Sequence, residues 1–267
     1  MIDPSRDLLF THVRDLPFFR GLLRAIESRS YQGIVMQAPT LDVGCGDGHF
    51  SQATFASKIF AGIDPTRVAL REAKGRDVYE AAVQADGSAI PYPSNYFASA
   101  YSNSVLEHTS DPDEVLSEIA RVVRPGGLFV FCVPNDRFIP SLAGSTWLEK
   151  LGFSSLAEKY RHFFNAASRH HTCENIENWT FRLKHAGFHI EEAWDFISPK
   201  AFHIIELGHY LGLPSLFLHI GIGKWNLVRA KWNFLHLLPW LRRYYNEPTP
   251  QPNGVYSFFV TRRDWKA

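Results

Sequence analysis

The sequence predicts an α/β fold, a parallel sheet covered by helices on both faces. Short apolar strands alternate with amphipathic helices through the first half of the chain, the rhythm of a sheet buried on both sides. One apolar strand runs into alternate glycines, Gly44, Gly46 and Gly48, just ahead of a helix. Without a Cβ these positions permit positive φ and close approach of the main chain to a ligand, and the helix start offers unpaired N–H groups. A dinucleotide fingerprint needs its third glycine one place later, where His49 stands, so G-x-G-x-G fits nicotinamide or flavin binding less well.

The elements follow in order. Apolar residues at helical spacing (Phe18, Leu22, Leu23, Ile26) predict a helix over Leu16–Ser28 that covers the sheet edge or a cofactor mouth. Strands are predicted at Thr40–Val43, Phe60–Ile63, Tyr79–Val83 and Ala98–Ser102, with helices from His49 and over Pro65–Ala73 between them. Asp113–Val123 has the acidic first turn of a helix and is stopped by Arg124-Pro125-Gly126-Gly127; Leu128–Val133 is the next buried strand. Ile176–Ala186 is another amphipathic helix, ended by Gly187, and His189–Ala193 and Tyr256–Thr261 read as closing strands. The roughly sixty residues between those strands exceed any ordinary connection and mark an insertion.

With 267 residues, 45% of them hydrophobic, the chain is long enough for one catalytic domain with modest additions. A formal net charge of +1 gives no global pull toward nucleic acid. Cys45, Cys132 and Cys173 are odd in number and far apart, which suits a reducing compartment and predicts a cytoplasmic location. The charged N-terminal residues read as neither secretory signal nor anchor.

With the glycine motif, the acid ending the second strand and the R-P-G-G segment together, the chain resembles class I S-adenosylmethionine-dependent methyltransferases. Within them it is similar to the broad methyltransferase-type family that includes quinone-biosynthesis C-methyltransferases. The likeness is close over Leu41–Val133 and looser over the closing strands. It implies a Rossmann-like seven-stranded sheet of order 3-2-1-4-5-7-6 with the last strand antiparallel, and S-adenosyl-L-methionine as cofactor. The implied cofactor-binding set is Asp42, Gly44, Cys45, Gly46, Gly48, Asp64, Pro65, Asp86, Gly87, Ser102 and Asn103. Asp64 would accept both ribose hydroxyls, Asp86 would meet the adenine amino group, and Asp42 would orient the cofactor's ammonium. Asn103 has two readings, a contact to methionine or substrate, or a polar residue holding a turn. Glu107 and His108 read as capping or loop-holding residues rather than as an acid/base pair.

Methyl transfer from a sulfonium is an in-line displacement that needs alignment and exclusion of water more than a dedicated base. Where a proton must leave the acceptor, His108, His170 and His171 are the candidate catalytic residues, with loop packing as their other reading. His170-His171-Thr172-Cys173 matches no standard zinc spacing, so no metal is expected.

The whole of 1–267 thus reads as a single domain with two helical insertions over the strands' carboxyl ends, 134–173 and 196–250. The first supplies Trp147, Phe153, Tyr160, Phe163 and Phe164 as walls of an apolar pocket. The second, over 196–245, holds ten aromatics, six Lys/Arg (Lys200, Lys224, Arg229, Lys231, Arg242, Arg243) and one acid, Glu206. It reads either as a buried lid with Trp225, Trp232 and Trp240 in its core or as a surface for peripheral contact with an anionic membrane. Residues 207–223 carry no charge, but His209, Pro214 and His219 interrupt them, and no spanning helix is expected. The expected activity is methyl transfer to a hydrophobic small-molecule or lipid-like acceptor, with no nucleic-acid partner. The alternatives are methylation of a protein or nucleic acid, and a non-catalytic cofactor-binding module.

Overall fold

The computed structural model describes residues 2, 5–211 and 234–265. Its centre is a seven-stranded sheet formed by β1 (Thr40–Val43), β2 (Ile59–Asp64), β3 (Tyr79–Gln84), β4 (Phe97–Asn103), β5 (Val123–Pro134), β6 (Phe188–Phe196) and β7 (Tyr256–Arg263). The order is β3-β2-β1-β4-β5-β7-β6. The first five strands pair in parallel, while β7 runs antiparallel to both β5 and β6. Order and direction agree with those the resemblance implies.

β1 is buried along its whole length at the sheet centre. Successive side chains of a strand take opposite faces, and β5 sorts its residues accordingly. Phe129 and Phe131 join one core with Leu41, Val43 and Trp179, while Val130 and Cys132 join the other with Leu22, Tyr101 and Phe258. The first core is closed by α5 (Pro112–Val122) and α8 (Ile176–His185); the second is closed by α1 (Leu8–Asp15), α2 (Phe18–Ser30) and α3 (His49–Thr54). α4 (Arg67–Gly75) crosses between β2 and β3.

Arg124–Gly127 does not form the free turn expected of it. The helix ends at Val122, and these four residues lie inside β5 as an irregularity, for Val123 pairs with Phe97 and Leu128 already pairs with Ser99. Gly126, at φ 74°, supplies the left-handed residue that such a bulge requires.

The first insertion folds as α6 (Ala143–Lys150) and α7 (Ser154–Ser168). Of the five aromatics expected to wall a pocket only Phe164 is buried; Trp147, Phe153 and Phe163 are 57–63% exposed and wall neither of the cavities described below. In the second insertion α9 (Pro199–Leu211) packs on α2, where the Phe19 and His209 rings lie 4.4 Å apart. Gly208 lets the two helices meet, since a Cβ there would fall 2.2 Å from that of Phe19. α10 (Leu237–Tyr245) lies against α1 and α2, with Trp240 beside Phe18 and Arg242 paired to Asp7. The described part therefore packs on α1 and α2; Trp225, Trp232, Lys224, Arg229 and Lys231 lie outside the described residues. Glu206, fully buried, joins the insertions: its carboxylate accepts the Ala143 N–H at 2.5 Å, the Gly144 N–H at 3.0 Å and the Tyr160 hydroxyl at 2.6 Å. It thereby caps α6 from α9. Among the described residues no helix is long and apolar enough to cross a membrane.

Candidate active site

Two cavities open at the carboxyl ends of the central strands, where ligands bind in open α/β sheets. Gly44 and Val105 are common to both. At φ +79° Gly44 makes the turn out of β1, and a Cβ on it would fall 2.4 Å from Val105 Cγ1. At Gly46, φ +52°, a Cβ would meet nothing within 4 Å. The glycines are thus needed for different reasons: Gly44 seals the turn against Val105, and Gly46 leaves a bare backbone facing open space. Gly48 works differently again. It lines neither cavity; at φ +74° it starts α3 and packs toward Tyr79 and Val78.

The second cavity, about 530 Å³, holds Asp64, Pro65, Ala85, Asp86 and Gly87 together with His108 and His171. Asp64 is braced by the turn it faces, for Oδ2 accepts the Gly46 N–H at 2.9 Å and Oδ1 accepts the Thr66 N–H at 2.7 Å. Each carboxylate oxygen retains capacity for another donor, as bidentate binding of a diol requires. Asp86 spends Oδ1 on the Ser88 N–H and hydroxyl, both at 2.9 Å.

The first cavity, about 570 Å³, is lined by Asp42, Gly44, Cys45, Gly46 and Asn103 from the sheet side, and by Arg14 of α1 and Arg20 and Arg24 of α2. Asp42 is buried, and its Oδ2 accepts hydroxyls from Ser51 (2.6 Å), Tyr79 (2.6 Å) and Tyr101 (2.8 Å). Burial pushes its carboxyl up to about 6, against the three hydroxyls that favour ionisation. Asn103 donates to Glu27 Oε2 at 2.8 Å, Ser104 donates to Oε1 at 2.7 Å, and Arg24 donates to Oε2 at 2.7 Å. Asn103 thus holds a polar junction with Glu27 and also lines the cavity. Ser102 lines neither cavity; it is buried and donates to the Val43 carbonyl at 2.9 Å.

Of the candidate bases, His108 and His171 stand at the second cavity and His170 at neither, so the first cavity receives none of the three. The residues sequence reasoning missed come mostly from α2. Arg20, Arg24 and Glu27 recur at helical spacing and bring two guanidinium groups to one side. Arg20 is exposed at the rim of this cavity, while Arg24 lies deeper and is paired with Glu27. His49 also lines the first cavity, with Nε2 3.8 Å from Asp15 Oδ2.

The sheet order, the glycine turn and the acids ending β1 and β2 define the class I methyltransferase scaffold. Comparison with known proteins adds to this: residues 41–131 match the methyltransferase-domain family model. A malonyl-(acyl-carrier protein) O-methyltransferase of Salmonella typhimurium is 35% identical over 107 residues, 39% of this chain and 42% of that protein. Its Yersinia pestis counterpart is 33% identical over 108 residues, 40% of each. The chain thus spans about two fifths of the length of these curated relatives. Among solved structures, a Thermotoga maritima methyltransferase described as a possible histamine N-methyltransferase superposes with a TM-score of 0.55 at 14% identity, covering 92% of this chain and 90% of that one. SpnF, a 4+2 cyclase, gives 0.55 at 20% identity, with 92% and 81% covered. These last two likenesses show the fold alone.

The residues present fit S-adenosylmethionine: a bare glycine backbone faces one cavity, and carboxylates stand at both ends of the groove. Asp64, Asp86 and Gly87 would hold its adenosine, and Asp42, Gly44 and Gly46 its methionine portion. Bound there, it supplies an activated methyl group.

Proposed function

We propose that the protein methylates an acceptor with a hydrophobic, lipid-like body and a carboxylate at its reactive end. The observation that carries this is the first cavity, which meets the second at Gly44 and presents Arg20 and Arg24 from α2. Two guanidinium groups match a carboxylate in charge and geometry. A carboxylate is ionised at neutral pH and needs no base, in keeping with candidate histidines that stand outside this cavity. The O-methyltransferase names of the relatives support the same reading. The chain's own part is then to align donor and acceptor and to exclude water beneath α1 and α2.

Contact with an anionic membrane through 196–245 is a companion proposal, supported by exposed Leu207, Leu211 and Leu235. Nucleic-acid and non-catalytic readings have no comparable support, although SpnF shows that a protein with this fold can carry another activity. The test is a methyl-transfer assay with labelled donor across fatty-acyl carboxylates, acyl thioesters ending in a carboxylate, neutral phenols and RNA. Turnover of carboxylates that is lost in Arg20→Ala supports the reading. Methylation confined to phenols or RNA overturns it.

A further inference from the structure

We propose that Glu107, His108 and His170 form a binding site for a first-row divalent metal ion. Each offers one ligand atom, and these atoms lie within 4.8 Å of one another. Two imidazoles and a carboxylate are a donor set suited to zinc and its neighbours.

Three observations show a site built for a ligand. Glu107 is 1% exposed, yet its Oε2 has no hydrogen-bond partner among the described residues, a costly state for a carboxylate. His170 Nδ1 is likewise buried and without a hydrogen bond. His108 is already oriented: its Nδ1 lies 3.1 Å from the Arg169 carbonyl, which can only accept, so Nδ1 carries the proton and Nε2 keeps its lone pair. Nε2 stands 3.9 Å from Glu107 Oε1. A backbone carbonyl fixing the tautomer is the usual support behind a metal-ligating histidine.

The backbone clamps the two halves of the site together. The Glu107 carbonyl accepts the N–H of His171 at 2.7 Å and of Thr172 at 3.3 Å, which draws residues 169–172 onto the 3-10 turn at Leu106–His108. The His108 and His170 ring centroids are then 5.1 Å apart, and Phe138 backs His170 at 4.8 Å. His108 is partly exposed and borders the second cavity, giving an ion its entry. Three protein ligands leave a coordination position for water. The proposal does not depend on the acceptor chemistry argued above.

The experiment is titration of chelator-treated full-length protein with Zn²⁺ by calorimetry, and with Co²⁺ followed by its visible absorption bands. One ion per chain is expected. Glu107→Gln and His170→Asn should each weaken binding by more than about 100-fold, beyond the effect of losing an outer-shell partner. His108→Asn, a change at the least buried ligand, gives the same test if either buried variant fails to fold, as judged by its metal-free melting curve. Absence of stoichiometric Zn²⁺ binding overturns the proposal, and so does wild-type affinity in any folded variant.

Discussion

Replacing Asp42 with Asn should move stability and cofactor affinity in opposite directions. Asparagine keeps one acceptor oxygen for the Ser51, Tyr79 and Tyr101 hydroxyls, removes the charge and places an amide NH2 where the second oxygen stood. Burial raises the folded carboxyl to about 6 from an ordinary 3.8. A raised acid stabilises the fold only while protonated, so the stability it lends is complete below the unfolded value and lost as pH rises through about 6. Two pH units correspond to about 2–3 kcal/mol, carried as a penalty by the wild type at pH 7.5. Asp42→Asn should therefore unfold at higher denaturant concentration than wild type at pH 7.5, and the difference should close toward pH 4. Its S-adenosylhomocysteine affinity should fall by about 10- to 150-fold, since a hydrogen bond to a charged group contributes about 1.5–3 kcal/mol. Wild-type affinity should weaken as pH falls through 6, and that of the variant should stay flat. Urea melts and calorimetry at pH 5, 6 and 7.5 measure both quantities. A variant that is less stable at pH 7.5, or that binds the ligand as wild type does, refutes the reasoning.

Asp64→Ala should weaken cofactor binding by about 1.5–3 kcal/mol; because Asp64 also braces Gly46, hydrogen exchange at that turn should quicken, and unchanged affinity would remove Asp64 from the site. Gly44→Ala forces both a collision with Val105 and a left-handed alanine, so a loss of about 1–3 kcal/mol is expected in thermal melts; a neutral result would mean that the turn is placed wrongly. Glu206→Ala leaves the Ala143 and Gly144 N–H groups uncapped and should expose α6 and α7 to limited proteolysis before the sheet unfolds. Flotation with anionic vesicles at low salt tests membrane contact through 196–245, and protein that stays at the bottom of the gradient rejects it.

What could be read from the sequence was local. Asp42, Asp64 and Asp86 were legible because each sits one strand-end from its motif, and the sheet order followed from the resemblance. α1 escaped notice because eight residues mixing Leu8, Leu9 and Val13 with His12, Arg14 and Asp15 give too short a period to detect. The junction of Glu27 with Asn103 was hidden by a sequence separation of 76, and nothing in either segment announces the other. Glu107 and His170 are likewise joined only by a backbone clamp that the fold creates, so the spacing of His170–Cys173 alone argued against a metal. The aromatics of 134–173 were recognised as hydrophobic, but the face they would take was not, since amphipathic patterning specifies an apolar stripe without its partner.

The meeting of both cavities at Gly44 and Val105 makes the donor a bivalent ligand. Each half is held by its own set of elements, and a short covalent tether joins them. The second half of such a ligand binds at an effective concentration in the millimolar range or above, so separate nucleoside and amino-acid fragments should bind far more weakly than the joined molecule. Inhibitors could then be assembled across this saddle from one anchor per chamber. Changes in α2 would retune the acceptor chamber while leaving the nucleoside chamber intact.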